Sequence, residues 1–187
     1  MSADPSALAA QFLERARYFL TVEYRTKIAL VLEQLPAEAI WARPAPGSNA
    51  IGNLLLHLAG NIRQWIVAGV GGATDVRQRS AEFTARDGAS APELLAHLDA
   101  ALRDVDAVLA GLSPQSLLES RRIQSRDVTV LAAIFHVVEH FGGHTGQIIL
   151  LAKILAPGTV RFYEDEPTGQ AKPLWQDALR PLPPAAP

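Results

Sequence analysis

The sequence has no cysteine among its 187 residues. This absence excludes disulfide bonds, thiolate metal ligands and a cysteine nucleophile from the chemistry of the chain. Acidic and basic residues nearly balance, with 19 Asp and Glu against 17 Lys and Arg, a net charge of −2 and a pI near 6.2. No cluster of basic residues stands out, so we expect no nucleic-acid partner.

Long apolar runs are also missing. No run approaches the roughly 20 apolar residues that cross a bilayer, so we expect no membrane partner. The first residues, Met1 to Asp4, lack the basic start that is typical of a signal peptide, and a cytoplasmic location is therefore expected. With 49% hydrophobic and 19% charged residues, the composition is that of an ordinary globular protein. We predict one domain over residues 1–187.

Four segments carry the periodicity of amphipathic or buried helices. Their predicted bounds are residues 6–35, 50–68, 90–111 and 127–155. Residues 73–90 form a polar connection with at most one short helical turn, and no segment is a convincing strand. The sequence therefore predicts an all-α protein in which an antiparallel four-helix bundle, residues 6–155, is followed by an irregular, proline-rich tail, residues 156–187.

Three of the five histidines lie on the fourth predicted helix at four-residue spacing: His136, His140 and His144. Residues four apart share one face of a helix, so these side chains form a ladder. An imidazole buried without a partner costs several kcal/mol, and an apolar helix should not carry three of them without a use. Two histidines at this spacing are able to hold a single metal ion.

A metal site needs a further ligand, because divalent first-row metals take at least three from a protein. His57, on the apolar second helix, is the best candidate, since neighbouring helices about 8–10 Å apart bring their side chains together. The spacing alone does not decide whether His136 and His140, or His140 and His144, complete the set. Three neutral ligands would leave a coordination position open, which is typical of a catalytic site.

Several further residues are candidates for holding the ligands or lining a pocket. They are the ladder histidine that is not a ligand, together with Asn61, Gln147, Trp65 and Tyr24. Glu139 is a weak candidate for a general base, because it projects about 100° away from His140 around the helix.

The fourth predicted helix is apolar on all sides, which indicates that every face of it is covered. In a domain of this size, the cover for the outer face would be a second subunit or the C-terminal tail. Glycines inside a helix cost about 1 kcal/mol relative to alanine. We therefore expect Gly143, which projects near His136, to leave room for a ligand or for a closely packed helix.

Two stretches resemble an uncharacterised branch of the DinB-like superfamily, a domain of unknown function. The first is residues 48–66, SNAIGNLLLHLAGNIRQWI, followed by Arg77-x-Arg79-x-x-Glu82-Phe83. The second is residues 136–147, which read His-Val-Val-Glu-His-x-x-x-His-x-Gly-Gln. The resemblance extends from the first helix to about Tyr163.

This resemblance implies a four-helix bundle, usually a homodimer, with a divalent metal ion (zinc or nickel) held by three histidines. Carried over to this sequence, the ligands are His57, His140 and His144, and His136 is left out of the set. Members of the superfamily include mycothiol-dependent maleylpyruvate isomerase and bacillithiol transferases, in which the metal is thought to activate a small thiol. The resemblance thus implies a metal-dependent transferase that uses a low-molecular-weight thiol as cosubstrate and acts on a small molecule.

Three other hypotheses remain open. A metal-dependent hydrolase would use metal-bound water as its nucleophile and would need a base such as Glu139. A metal-binding homodimer without enzymatic activity would leave the open coordination position unused. In the third, a histidine-lined bundle holds no metal.

Overall fold

We describe residues 4–184 of the chain in a computed structural model. The first helical segment consists of α1 (Pro5–Tyr18), a π-helical turn (Phe19–Tyr24) and α2 (Arg25–Gln34). It ends where Leu35 takes an extended conformation before Pro36, because a residue before proline avoids the helical region. A 3₁₀ turn (Ala37–Ile40) follows.

The second helical segment is α3 (Ile51–Ile62), which continues as a π-helix over Arg63–Val70. A short helix, α4 (Arg79–Thr84), interrupts the predicted polar connection. The third long helix is α5 (Ala91–Ala110), where the Ser90 amide donates to Glu93 Oε2 at 2.8 Å. A 3₁₀ turn (Pro114–Leu118) comes before the last long helix, α6 (Val130–Leu155).

The long helices surround one apolar core. The first helical segment packs on both α5 and α6, and α3 also packs on both α5 and α6. Fully buried side chains from every long helix meet between them, among them Leu20, Ile28, Leu58, Leu98 and Phe141. This arrangement confirms the predicted all-α fold class, and it places α3 beside α6.

Two small antiparallel hairpins were not expected from the sequence. The first joins β1 (Ser120–Ile123) to β2 (Arg126–Thr129), so that α6 begins later than the predicted residue 127. Its turn residues, Gln124 and Ser125, have φ angles of 48° and 63°. Such turns usually carry Asn or Gly, and the Gln-Ser pair therefore gave no signal in the sequence.

The second hairpin, β3 (Tyr163–Asp165) with β4 (Ala171–Pro173), lies in the predicted tail and leads into α7 (Leu174–Asp177). Beyond it the chain returns to the first helical segment, where the Arg180 carbonyl accepts from Thr26 Oγ1 at 3.3 Å. Within residues 4–184, no helix is long and apolar enough to cross a membrane. The cytoplasmic location stays a prediction.

The tail does not cover the outer face of α6. Exposed apolar side chains lie along that helix: Leu131, Phe135, Leu150 and Ile154. Taking about 100° per residue, they fall within an arc of roughly 140°. Of the two elements predicted to cover this face, a second subunit or the C-terminal tail, the described part of the tail does not cover these four residues. Cover of this face by a second subunit stays a prediction.

Candidate metal centre

Three histidines meet where α3 packs against α6. His57 on α3 and His140 and His144 on α6 each place a ring nitrogen within 4.8 Å of the others. His57 is buried, with 5% of its surface exposed, and the two α6 residues are half-buried. Their ring centroids are 4.4 to 5.0 Å apart. The structure therefore brings together the three residues that the family resemblance selected.

The spacing of these nitrogens suits a metal ion. Zinc–nitrogen bonds of about 2.0–2.1 Å in a tetrahedral site put two ligand nitrogens roughly 3.3 Å apart. His57 Nε2 and His140 Nε2 are 3.0 Å apart. The chain could hold a divalent ion between these imidazoles with only a slight opening of the cluster.

A carboxylate behind His57 sets the position of its proton. Glu82 Oε2 lies 2.9 Å from His57 Nδ1, and Arg77 Nη2 lies 3.0 Å from the same nitrogen. Arg77 Nη2 is already satisfied by Glu82 Oε2 at 2.8 Å, and an ionised carboxylate only accepts. We assign the proton to Nδ1, which donates to Glu82 and leaves the Nε2 lone pair facing the cluster.

Arg77 keeps this carboxylate charged. Its Nε donates to Glu82 Oε1 at 2.7 Å, and the pair is nearly buried, with side-chain exposures of 3% and 9%. Burial alone would raise the pKa of Glu82, but the hydrogen bonds and charges of Arg77 and His57 outweigh it, and the pKa lies below its ordinary value. Arg77 Nη1 donates in turn to Gln64 Oε1 at 2.9 Å.

Gly60 makes room for the carboxylate. A Cβ atom at this position would lie 2.1 Å from Glu82 Oε1 and 3.1 Å from Arg77 Nε. Only glycine leaves room for the carboxylate of Glu82 this close to the backbone of α3. Asn53 fixes the far end of α4, because its Nδ2 donates to the carbonyl oxygen of Glu82 at 2.8 Å.

The α6 side of the cluster has fewer supports. His144 Nδ1 donates to Gln147 Oε1 at 2.8 Å, which again leaves Nε2 free to bind a metal. Burial and the neighbouring histidines His144, His57 and His136, together with Arg77, lower the pKa of His140 to about 4. Burial also lowers the pKa of His144, against the opposing effect of the hydrogen bond that it donates to Gln147. Both rings are therefore neutral near pH 7, the form that binds metals.

The other predicted site residues lie around the cluster in different ways. His136 packs against Trp65 with the rings tilted and their centroids 4.2 Å apart, and it stacks beside His140 at 5.5 Å. Asn61 is buried, and its Oδ1 has no hydrogen-bond partner among the described residues. Glu139 is exposed on α6, and no described hydrogen bond joins it to a cluster histidine.

Gly142 and Gly143, which are adjacent on α6, have different surroundings. A Cβ atom at Gly142 would lie 2.8 Å from the hydroxyl oxygen of Tyr24, so it is here that another helix comes close. Gly143 is exposed, and a Cβ atom there would meet no described atom within 4 Å. The expected room at Gly143 is present, but the closely packed helix lies at its neighbour.

Sequence reasoning assigned no site role to Glu82 or Arg77. The one available signal was their place in the motif Arg77-x-Arg79-x-x-Glu82-Phe83. The motif lies in a segment of polar character, and there a solvent-facing role is the usual one. Phe83 of the same motif packs on the His57 ring, with centroids 4.8 Å apart.

Solved structures with the same fold are known. A DinB-like protein from Bacillus subtilis is 17% identical and superposes with a TM-score of 0.59, covering 81% of this chain and 96% of its own. A DinB-like protein from Bacillus cereus is also 17% identical, with a TM-score of 0.58 over 75% of this chain and 92% of its own. A conserved protein from Enterococcus faecalis is 15% identical, with a TM-score of 0.61 over 82% and 98%.

These identities are low, so the likeness concerns the fold alone, and it supports the DinB-like assignment made from the motifs. Among curated proteins, none matches the sequence. A family model does match, over residues 7–162, which run from within α1 to beyond α6 and include all three cluster histidines. The chain thus belongs to the DinB-like family described as "Protein of unknown function (DUF1572)".

Proposed function

We propose that this protein is a metal-dependent enzyme that holds a divalent ion, zinc or nickel, between His57, His140 and His144. One observation carries the proposal. The three imidazoles converge, and two of them have their Nδ1 protons held by oxygen acceptors, Glu82 for His57 and Gln147 for His144. Holding the proton on Nδ1 directs Nε2 to the metal, as is common in metal sites built from histidine.

The reaction that we propose is transfer of a low-molecular-weight thiol to a small electrophilic molecule. Three protein ligands leave at least one position for an exogenous group, and the bound ion would supply Lewis acidity that favours the ionised form of a coordinated thiol. The chain contains no cysteine, so the sulfur has to come from a cosubstrate. The half-buried rings of His140 and His144 and the exposed Gly143 leave this side of the cluster accessible.

A hydrolase has weaker support, because it would need a base beside the metal. Among the described residues, Glu82 is the one carboxylate that hydrogen-bonds a cluster histidine, and both of its oxygens also accept from Arg77. Glu139 is the remaining candidate, exposed on the outer side of α6. A thiol has an ordinary pKa of about 8.5 and would release its proton to solvent on binding the ion, without a protein base. This chemistry is compatible with a site so poor in free carboxylates.

Metal content tests the first part of the proposal. Purified protein, dialysed and analysed by inductively coupled plasma mass spectrometry, should contain about one equivalent of metal per chain, and His57→Ala should contain none. His97→Ala is the matched control, because His97 lies on α5 outside the cluster. An equal loss in both variants, or no metal in the parent protein, would remove the proposal.

Thiol binding tests the second part. Protein loaded with nickel or cobalt should develop a thiolate-to-metal charge-transfer band when titrated with small thiols such as glutathione or cysteine. The loaded protein should also accelerate conjugation of a thiol to 1-chloro-2,4-dinitrobenzene, and His57→Ala should not. A metal-loaded protein that shows neither band nor conjugation, but cleaves model esters or amides, would favour the hydrolase. Absence of all three activities would favour a metal-binding protein without catalysis.

We also propose that the protein is a homodimer whose interface includes the outer face of α6. The exposed side chains of Leu131, Phe135, Leu150 and Ile154 support this, since a row of large apolar residues on one helix is typical of a protein contact. Gly146, where an added Cβ atom would meet nothing, permits a second helix to approach this face. A second copy of the chain is the partner that the family resemblance implies.

Sedimentation velocity tests the dimer. Phe135→Glu should shift the protein towards the monomer, because Phe135 is 63% exposed in the single chain and would be buried in the dimer. Leu8→Glu is the control, an equally apolar and 72% exposed residue on α1. A parent protein that sediments as a monomer at all concentrations would contradict the proposal.

A further inference from the structure

A cavity lies on the outer side of α3, away from the histidine cluster. It has a volume of about 520 Å³ and is bounded by α3 with its π-helical extension, the chain from Ala73 to Glu82, and α5. Ligand sites commonly enclose about 300–1,000 Å³. None of the three cluster histidines lines this cavity, but Arg77 and Glu82 do. These two residues therefore form a wall between the cavity and the back of His57.

The lining of the cavity is mainly apolar on the side of α3. Leu56, Gly60 and Val67 form a continuous strip along the helix, and Ala73 and Val76 face them from the following chain. A surface of this kind favours the apolar part of a small molecule. Val76 is 81% exposed and Ala73 is also exposed, so the cavity opens to solvent on this side.

Most charged groups at the cavity already have hydrogen-bond partners within the protein. Arg77 gives its guanidinium donors to Glu82 and Gln64. Asp75 Oδ2 accepts from Gln64 Nε2 at 2.6 Å, and Asp75 Oδ1 accepts from the Arg77 amide at 3.0 Å. These groups form a closed network and offer little to a ligand.

Arg63 is different. Its Nη1 forms an ion pair with Asp104 at 2.8 Å, at an exposed position. Its Nε is buried and has no hydrogen-bond partner among the described residues. A buried donor without an acceptor is uncommon in native proteins and costs free energy. Nε itself is too enclosed to meet a ligand, but the Arg63 side chain as a whole is 39% exposed and lines the cavity. An anionic oxygen of a ligand in the cavity would therefore accept from Nη2, for which no hydrogen bond is described.

We propose that this cavity is a second binding site, which takes a small molecule with an apolar body and one anionic oxygen-bearing head group. The apolar body lies along Leu56, Gly60 and Val67, and the head group accepts from Arg63. The site is independent of metal binding, and the proposal goes beyond the function proposed above. Its failure would leave the metal centre untouched.

Fluorescence titration with 8-anilinonaphthalene-1-sulfonate tests this site, because the probe combines aromatic rings with one sulfonate. Arg63→Gln should weaken its binding about tenfold, the loss expected for one hydrogen bond to a charged group. Ala73→Trp, at an exposed position on the opposite wall, should weaken it at least as much by filling the cavity. Both changes lie at partly or fully exposed positions, and circular dichroism checks the fold of each variant.

N-phenyl-1-naphthylamine is the matched probe without the sulfonate. Its affinity should fall in Ala73→Trp but not in Arg63→Gln, because it lacks the group that Arg63 binds. Phe135→Glu should leave the binding of both probes unchanged, which separates the cavity from the apolar face of α6. Equal affinity of the sulfonated probe for the parent, Arg63→Gln and Ala73→Trp would overturn the proposal, and so would loss of binding in Phe135→Glu alone.

Discussion

The two sides of the histidine cluster differ in how firmly their histidine side chains are held. On the α3 side, His57 is 5% exposed and rests on Glu82, which is held in turn by the buried side chain of Arg77. On the α6 side, His140 and His144 are half-buried, and the one side-chain support of His144 is the exposed Gln147. A buried, charge-paired partner holds a side chain firmly in place, whereas a hydrogen bond to an exposed amide holds it weakly.

The difference indicates how the site would adapt to a metal. His57 would provide a fixed ligand, because Glu82 sets its tautomer and direction from behind. His140 and His144 keep a constant spacing along one helix but retain freedom in their side chains. We infer that the α6 side makes the small adjustment needed to open the 3.0 Å contact between His57 Nε2 and His140 Nε2.

Removing both α6 ligands should have the largest effect. His140→Ala with His144→Ala leaves one imidazole of the three, and we expect metal content to fall from about one equivalent per chain to none. His136→Ala is the control, because that residue is outside the converging set although it shares the same helix face. If His136→Ala also lost its metal, the choice of ligands would be wrong.

Removing the buried residue that supports His57 should have a larger effect than removing the exposed residue that supports His144. Glu82→Ala should lower metal affinity by about 10- to 100-fold, the usual cost of removing a residue that orients a histidine ligand. It should also destabilise the protein by about 3–5 kcal/mol, because Arg77 is left buried without its partner.

Gln147→Ala is the comparison on the α6 side. It should cost less than tenfold in metal affinity and should hardly change the free energy of unfolding, since Gln147 is exposed. Isothermal titration calorimetry with Zn²⁺ and urea unfolding of the metal-free protein measure the two quantities. Equal losses in Glu82→Ala and Gln147→Ala would show that the two sides are supported alike.

A pair of glycine substitutions sharpens the contrast without changing a polar group. Gly60→Ala should displace Glu82, whose Oε1 lies 2.1 Å from the added Cβ, and should cost about 1–3 kcal/mol of stability. Gly143→Ala places its methyl group in open space on α6 and should stabilise the helix by about 1 kcal/mol. Urea unfolding of the metal-free variants checks both signs, and a stabilising Gly60→Ala would contradict the close approach of α4.

The effect of pH is confined to a narrow range. In the metal-free protein the pKa of His140 is lowered to about 4, whereas an unfolded histidine titrates near 6.5. The unfolded state therefore binds more protons between these values, and stability should fall as the pH falls from about 6.5 towards 4. His140→Leu should flatten this decline in urea unfolding measured at pH 7, 6 and 5.

Keeping the measurements at pH 5 and above separates the histidines from Glu82. The pKa of Glu82 is lowered from 4.5 in the folded state, so its contribution is present above that value and is lost only at lower pH. A decline between pH 7 and 5 that is as steep in His140→Leu as in the parent would show that another group is responsible.

Much of the helical framework was predictable because periodicity and capping are local. The Ser90–Glu93 capping contact and the proline after Leu35 mark helix ends within a few residues. The hairpin at Gln124 and Ser125 was missed for the opposite reason: its turn lacks the residues that normally mark such a conformation.

The sequence by itself determined that His140 and His144 share one helix face, since four residues on a helix make about one turn whatever surrounds it. Sequence resemblance also favoured His57 as their partner. Only the tertiary structure decided what lies behind His57. Glu82 is 25 residues further along the chain, and its approach depends on the path of the connection, on Arg77 and on the missing side chain of Gly60. No local pattern encodes a contact of that kind.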